Sequence, residues 1–321
     1  MSGMPDSDED HIIRRALNLP GAPHQLAKYN RGVYEVSAER PADAGPEWST
    51  GPGRLATCRD VAKQLAFEMM RMDNYLEDAD TGRLIRMVLH TEQGALLSAA
   101  VTPRNYILGM VFGSATQVPP VPLPDVELVR EADKVVSDLA ETLRDELGLP
   151  PANLGGWITA QPTVASPAPA AGRSPGNARS EVYFWDTGES PYAEKLRDLL
   201  DPDELHYLAH VRDGRLLVET DLLEHPEAAR HRSPFSPPSG PRAFYRRMAT
   251  DLSTLRNQFS QLTRQVMRGR LLRAVLDVEQ GAVYYYRLNA TEFLVGVTLN
   301  QKKVSQSDQK LATLAAAARR G

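Results

Sequence analysis

The chain has 321 residues, which is enough for two ordinary domains or one large one. With 42% hydrophobic and 24% charged residues, its composition excludes a disordered or fibrous protein. A formal net charge of −4 gives no general attraction to nucleic acid, and the single cysteine, Cys58, excludes an intramolecular disulfide.

Neither a secretion signal nor a membrane helix is predicted. The first residues, "MSGMPDSDEDHIIRR", are acidic and lack the apolar core of a signal peptide. No run approaches the roughly 18 apolar residues that a membrane helix needs. We therefore expect a cytoplasmic protein with no membrane span and no nucleic-acid partner.

The predicted elements begin with a short helix, Asp8–Leu17, and two short strands joined at "NRGV". A long helix follows, because apolar residues recur at helical spacing. These residues are Cys58, Val61, Ala62, Leu65, Met69 and Met72. Three strands come next, in "GRLIRMVLHTEQGA", "ALLSAAV" and "YILGMVF". A closing helix carries apolar residues on one face, and Gly148 after it is a typical stop signal. These residues are Leu128, Ala132, Val135, Leu139 and Leu143.

A linker is predicted over residues 149–188, because Pro, Ala, Gly and Ser dominate this segment and cannot bury enough surface to order it. A shorter proline run, Val118–Pro124, lies inside the first series of elements. We interpret it as a stiff connector; the alternative is a docking site for a proline-recognition module.

After the linker the same order of elements returns. A short helix, Pro191–Leu200, precedes two strands joined at "RDGR", a long helix, three strands and a closing helix, Ser305–Ala318. The apolar positions of this second long helix are Tyr245, Met248, Leu252, Leu255, Phe259 and Leu262.

The two series are copies of one unit. "GRLIRMVLHTEQGA" (Gly82–Ala95) and "GRLLRAVLDVEQGA" (Gly269–Ala282) are identical at ten of fourteen positions, 187 residues apart. We infer a tandem duplication. The predicted fold class is α+β, with two α-β-β-α-β-β-β-α domains over residues 1–148 and 189–321. Each would be a five-stranded antiparallel sheet packed by helices.

No catalytic or metal-binding set is found. The chain lacks a GxxxxGK[ST] phosphate loop, a GxSxG elbow and an HExxH motif. His206 and His210 fall on a predicted strand, where residues four apart lie roughly 13 Å apart, too far to share one ion. Glu92 and Glu279 precede a glycine in both copies and are interpreted as hairpin corners. The sequence predicts no enzyme, no cofactor and no metal; a hydrolase is kept as a remote alternative.

The second copy resembles the roadblock/dynein-light-chain family, which is close in architecture to longin and profilin-like folds. The resemblance lies in the long helix, in "LLRAVLDVEQGAVYYYRL", in "EFLVGVTLN", in the closing helix and in the first hairpin "LHYLAHVRDGRLLVET". It covers residues 191–321 and, with an interrupted start, residues 8–148. The family implies a non-catalytic role: its members pair through the long helix and the strand after it, and many bind or scaffold small Ras-like GTPases.

We therefore predict that the two copies meet through the long helices and the strands that follow them. The strands Leu84–Leu89 and Leu271–Leu276 are almost continuously apolar, as expected for strands covered on both faces. The predicted interface residues are Leu84, Arg86, Val88, Leu271, Arg273, Val275, Tyr245, Met248 and Leu252. For Arg86 and Arg273 two interpretations stay open: an ion pair across the interface or to a partner, or a guanidinium at the sheet rim in water.

Two functions are predicted from this pattern. The first is a non-catalytic adaptor that binds a small Ras-like GTPase or another signalling protein, as a pseudo-dimeric monomer or as a homodimer. The alternative is a peptide-binding chaperone similar to secretion chaperones and the YbjN-like group, whose domains also combine helices with an antiparallel sheet.

Overall fold

The computed structural model describes residues 8–40, 54–113, 127–156, 182–230 and 240–320. The Val118–Pro124 run and residues 157–181 of the predicted linker lie outside these ranges. The elements of the first copy are α1 (Asp8–Leu17), β1 (Gln25–Asn30), β2 (Val33–Glu39), α2 (Arg54–Leu76), β3 (Leu84–Thr91), β4 (Gly94–Thr102), β5 (Asn105–Phe112) and α3 (Glu127–Glu146).

The second copy repeats this order with two additions, β6 and α5. Its elements are β6 (Tyr183–Asp186), α4 (Ala193–Leu199), β7 (Tyr207–Arg212), β8 (Arg215–Asp221), α5 (Pro226–Ala229), α6 (Gly240–Thr263), β9 (Leu271–Val278), β10 (Gly281–Arg287), β11 (Glu292–Thr298) and α7 (Val304–Arg320).

All eleven strands of the described chain form one antiparallel sheet, in the order β2-β1-β5-β4-β3-β9-β10-β11-β7-β8-β6. The two copies join at its centre, where β3 pairs with β9. In this pair Val88 stands opposite Val275, its own equivalent in the repeat. A pseudo-twofold axis therefore passes between these two valines.

The helices form a layer on each face of the sheet, so the chain has the predicted α+β class. On one face α2 and α6 pack on a buried cluster that includes Met87, Leu89 and Leu276. On the other face α1, α3, α4 and α7 cover a second cluster around Val88 and Val275. Because successive strand residues point to opposite faces, this alternation explains why β3 and β9 are apolar almost throughout.

Both described ends of the predicted linker carry structure. β6 pairs with β8 and extends the sheet by one strand beyond the five expected in that copy. At the other end, a 3-10 turn at Leu154–Gly156 is buried between α3 and β3 of the first copy and α7 of the second. The sequence pattern does not indicate this strand, because it has only four residues and both of its faces are partly exposed.

The glycine after each Glu-Gln corner is required by the close approach of a neighbouring strand. A Cβ added at Gly94 would lie 2.0 Å from the carbonyl oxygen of Val111, and one at Gly281 would lie 2.0 Å from that of Thr298. No side chain fits at these distances, which explains why both copies carry glycine there.

No helix of the described ranges is both long enough and apolar enough to cross a lipid bilayer.

Candidate functional site

The junction of the two copies brings six of the predicted interface residues together. Leu84, Arg86 and Val88 lie on β3, and Leu271, Arg273 and Val275 lie on the paired strand β9. All except the two arginines are apolar, and all six are buried. The question left by the sequence is how two arginines are accommodated there.

Arg86 is held by two carboxylates, one from each copy. Its Nε donates to Oδ1 of Asp133 on α3 at 2.9 Å, and its Nη2 donates to the other oxygen of the same carboxylate. Its Nη1 donates to Oδ2 of Asp277 on β9 at 2.7 Å. Arg86 is 3% exposed, so the observed arrangement is the buried ion pair across the junction rather than a guanidinium in water.

Arg273 repeats only half of this arrangement. Its Nε and Nη2 donate to Asp308 on α7, in the same two-pronged geometry that Arg86 uses with Asp133. On the opposite strand, however, Arg273 faces His90 instead of an aspartate. The junction is therefore asymmetric in charge although its backbone is nearly twofold.

His90 is neutral in this environment. Burial lowers the pKa of its imidazole to about 3, and the positive charges of Arg273 and Arg319 act in the same direction. Its Nδ1 has no hydrogen-bond partner among the described residues.

Asp277 also fixes the beginning of the predicted linker. Its Oδ2 accepts a hydrogen bond from the backbone N–H of Gly155 at 2.9 Å, in addition to the bond from Arg86. Burial raises the pKa of Asp277, whereas the charge of Arg86 lowers it. One carboxylate of the second copy thus binds both a strand of the first copy and the turn that begins the predicted linker.

At each end of the junction, a glutamate of one copy binds the start of the paired strand in the other. Glu92 accepts hydrogen bonds from the backbone N–H of Arg270 at 3.0 Å and from its Nε at 2.7 Å. Glu279 accepts one from the backbone N–H of Arg83 at 3.3 Å. A Cβ on the residue before either arginine would collide with the facing glutamate, and this residue is glycine in both copies.

These contacts explain why "GR" and "EQG" recur together. The hairpin-corner interpretation of Glu92 and Glu279 accounts for the glycine that follows, but not for the glutamate itself. Burial alone would raise the pKa of Glu92, but hydrogen bonds and the charge of Arg270 lower it overall. In the sequence, "GR" and "EQG" recur together at a single offset of 187 residues. This joint recurrence is expected when two copies bind each other reciprocally.

The long helix α2 also meets α6, and the turn that follows α6 at Gln265, across the copies. Gln64 and Gln265 exchange reciprocal amide hydrogen bonds of 3.1 and 2.8 Å, and the hydroxyl of Tyr75 donates to Asp251 at 2.9 Å. Because residue numbers rise on one helix and fall on the other along these contacts, the helices run antiparallel. Burial raises the pKa of Tyr75, and Asp251 raises it further.

The other three predicted interface residues lie on α6 and point into the core. Tyr245, Met248 and Leu252 are at most 2% exposed and belong to the cluster that contains apolar residues of both copies. The ring of Tyr245 packs against that of Tyr207 with centroids 5.5 Å apart. These side chains hold α6 on the sheet, so a partner would meet the opposite face of the helix.

The two histidines with metal-like spacing have separate structural roles. His206 immediately precedes β7, and its Nδ1 accepts a hydrogen bond from the N–H of Leu299 at 3.1 Å. His210 lies within β7 and hydrogen-bonds Ser190 at 2.8 Å; burial lowers its pKa to about 4. Within the described ranges, no group of three or more His, Cys, Asp or Glu side chains is placed to hold a metal ion.

Comparison of the chain with protein-family models, with curated proteins and with solved structures finds no match.

Proposed function

We propose that this protein is a non-catalytic adaptor that binds a small Ras-like GTPase, or another signalling protein, through a platform built by both copies. The observation that carries the proposal is the junction: β3 pairs with β9 while α2 contacts α6 on the same sheet. Pairing through the long helix and the strand after it is what the resemblance to roadblock proteins implies.

In this proposal the copies are two tandem roadblock-like domains, 1–148 and 189–321, joined by the segment 149–188. The connection keeps each copy at a high effective concentration for the other, so the chain acts as a pseudo-dimeric monomer. A homodimer that exchanges copies between chains is the alternative assembly.

The outer face of α2 and α6 is the proposed contact surface for the GTPase. It includes side chains of both copies that point away from the core. Lys63 on α2 and Arg264, in the turn directly after α6, are both exposed and lie next to the Gln64–Gln265 contact. A basic surface of this kind would attract an acidic partner surface and accelerate association.

Affinity purification of the tagged chain from its native cell, with GDP or a non-hydrolysable GTP analogue, tests the proposal. We expect a Ras-like GTPase to be recovered and to bind the purified chain directly. The double substitution Lys63→Glu with Arg264→Glu should weaken direct binding at least tenfold.

The matched control is Lys134→Glu on α3, which reverses an exposed charge on the opposite face of the sheet. It should bind like the unmodified chain. Recovery of no GTPase in either nucleotide state contradicts the proposal, as does equal binding by the double variant.

The chaperone alternative is favoured by one observation, the edge strand β2. Its outer edge pairs with no strand in the part of the chain that the structure describes, and Val33 and Tyr34 are 66% and 42% exposed. An extended client segment could add to such an edge. Tyr34→Pro, which removes an N–H from the outer edge of β2, should abolish client binding in this case and leave GTPase binding unchanged.

A further inference from the structure

A cavity of about 470 Å³ lies between α3 and α7, above the centre of the sheet. Its floor contains Arg86 and Arg273, and its walls carry Asp133 and Asp308 together with Val129 and Val304. A volume of this size is typical of small-molecule sites, which combine apolar walls with a few converging polar groups. The cavity contacts both copies, because α3 belongs to the first and α7 to the second.

The two arginines on the floor differ in how their N–H groups are used. Arg86 directs Nε and Nη2 to Asp133 and Nη1 to Asp277. Arg273 directs Nε and Nη2 to Asp308 and lies within reach of the Tyr286 hydroxyl, but within the described ranges no second carboxylate pairs with it. Arg273 is 4% exposed, and its buried guanidinium pairs with one carboxylate of the described residues where that of Arg86 pairs with two.

The difference arises from one position. Asp277, which supplies the second carboxylate to Arg86, corresponds in the repeat to His90, which faces Arg273. A neutral imidazole brings no negative charge to this side of the axis. An anion in the cavity would supply to Arg273 the second carboxylate or equivalent group that Arg86 receives from the protein.

Further positive charge lies at the rim of the cavity. Arg130 on α3 is exposed and forms no ion pair within the described ranges, whereas Lys310 on α7 is paired with Glu204. The cavity is also lined by residues 129–133 near the N-terminal end of α3 and by residues 304–313 of α7, and the N-terminal end of a helix carries partial positive charge. Arg130 and Arg273 are therefore the two groups that an incoming anion meets.

We propose that this cavity binds a small organic anion, whose carboxylate or phosphate accepts hydrogen bonds from Arg273 and from Arg130. The bound anion touches the first copy through Arg130 and the second through Arg273. Since it binds only when both copies are in place, it stabilises the junction.

Calorimetric titration of the full chain with citrate, and separately with inorganic phosphate, tests this inference. Sodium chloride keeps the ionic strength equal in all samples, so that general salt effects are shared. We expect saturable binding at one site per chain, with at least one of the two probes. The stronger probe identifies whether carboxylate or phosphate is the preferred group.

His90→Asp is the decisive variant, because it places a carboxylate opposite Arg273 as Asp277 stands opposite Arg86. It should weaken binding of the probe at least tenfold. Arg130→Gln, a change at an exposed position that leaves the core intact, should weaken binding severalfold. Lys134→Gln, on α3 and paired with Asp138, is the matched control and should bind like the unmodified chain.

Absence of saturable binding for both probes overturns the inference. So does binding that is equal in the unmodified chain and in Arg130→Gln, since the anion would then bind elsewhere. The titration uses no GTPase or client protein, so its outcome is independent of the proposed adaptor function.

Discussion

Arg86 and Arg273 occupy equivalent positions in the two copies, yet only Arg86 reaches a carboxylate on the opposite strand. Each is bound in the same way by an aspartate of its own closing helix, Asp133 or Asp308. The equivalence ends at one pair of positions: the first copy has His90 where the second copy has Asp277. At the scale of residues, stability and pH dependence at the junction follow from this one difference.

The first prediction concerns Asp277→Ala. The change removes one carboxylate from buried Arg86 and leaves the N–H of Gly155 without its acceptor. We expect the free energy of unfolding to fall by about 3 kcal/mol. Arg270→Ala is the matched control, because Arg270 also pairs across the junction but is 59% exposed; it should cost at most about 1 kcal/mol. Urea denaturation measures both, and equal costs would contradict the prediction.

The second prediction is a pH dependence due to His90. Folding lowers the pKa of this histidine from 6.5 to about 3, so between these values the unfolded chain binds a proton that the folded chain does not. The stabilising contribution is therefore complete above about pH 6.5 and decreases as the pH falls, by about 1.4 kcal/mol per pH unit.

Unfolding free energies measured from pH 7 to pH 4.5 check this dependence. His90→Asn should reduce the slope against pH by about one proton, whereas His11→Gln, at an exposed position on α1, should leave it unchanged. An unaltered slope in His90→Asn would show that another group is responsible.

At the scale of elements, the hairpin corners between β3 and β4 and between β9 and β10 do two things at once. Their glycines let a neighbouring strand approach closely, and their glutamates bind the first residues of the paired strand in the other copy. A corner that closes one hairpin therefore also sets the register of the junction. This double use gives both the glutamate and the glycine of Glu-Gln-Gly a structural reason to occur in each copy.

The third prediction compares two glycines. In Gly281→Ala the new Cβ would lie 2.0 Å from the carbonyl oxygen of Thr298, so β10 and β11 must separate locally. We expect a loss of at least about 3 kcal/mol. Gly148→Ala has open space around its Cβ and only the strain of a positive φ, so it should cost about 1 kcal/mol. Thermal unfolding of both variants tests the difference; similar losses would contradict it.

Many of the helices and strands could be predicted from the sequence. α1 has the predicted bounds, Asp8–Leu17, and α2 and α6 contain their predicted apolar positions, because helical periodicity is a strong local signal. The sequence does not predict β6, because a strand of four residues is too short to show an alternation of apolar and polar residues. The predicted helix Pro191–Leu200 is shorter in the structure, at Ala193–Leu199, since helix ends are weakly encoded.

The candidate site was harder to predict, because its bonds join residues far apart in the chain. Periodicity indicates that β3 and β9 are buried, but not which residue faces which. Asp277 lies 191 residues from Arg86, and only the antiparallel register brings them together. For the same reason the sequence does not indicate the role of Glu92, whose partner Arg270 lies 178 residues away.

At the scale of the whole molecule, both copies share one sheet and have contacts on both of its faces. β3 pairs with β9, α2 contacts α6, and the turn at Leu154–Gly156 contacts both α3 and α7. The structure therefore predicts that the association does not require an unbroken chain between the copies.

The fourth prediction tests this independence. A protease recognition sequence inserted between Ala170 and Ala171 allows the folded protein to be cut into its two halves. We expect the halves to elute together in size-exclusion chromatography, at the position of the uncut protein of 35.4 kDa. The backbone hydrogen bonds between β3 and β9 and the apolar contacts beneath α2 and α6 should hold the halves together.

Val275→Lys provides the control, because it places a charge at the fully buried centre of the junction. After cutting, the halves of this variant should separate. Separation of the unmodified halves under the same conditions would contradict the prediction.

The register that sets Val88 against Val275 has a consequence for how such a chain can change over time. In a symmetric dimer of identical subunits, every substitution at the axis appears on both sides. Two second copies would each offer Arg273 the other's Asp277, whereas two first copies would set Arg86 against His90 twice. Because both copies belong to one chain, a substitution at the axis changes one side alone. The protein can therefore carry a single, one-sided polar site on its axis, which identical subunits could not build.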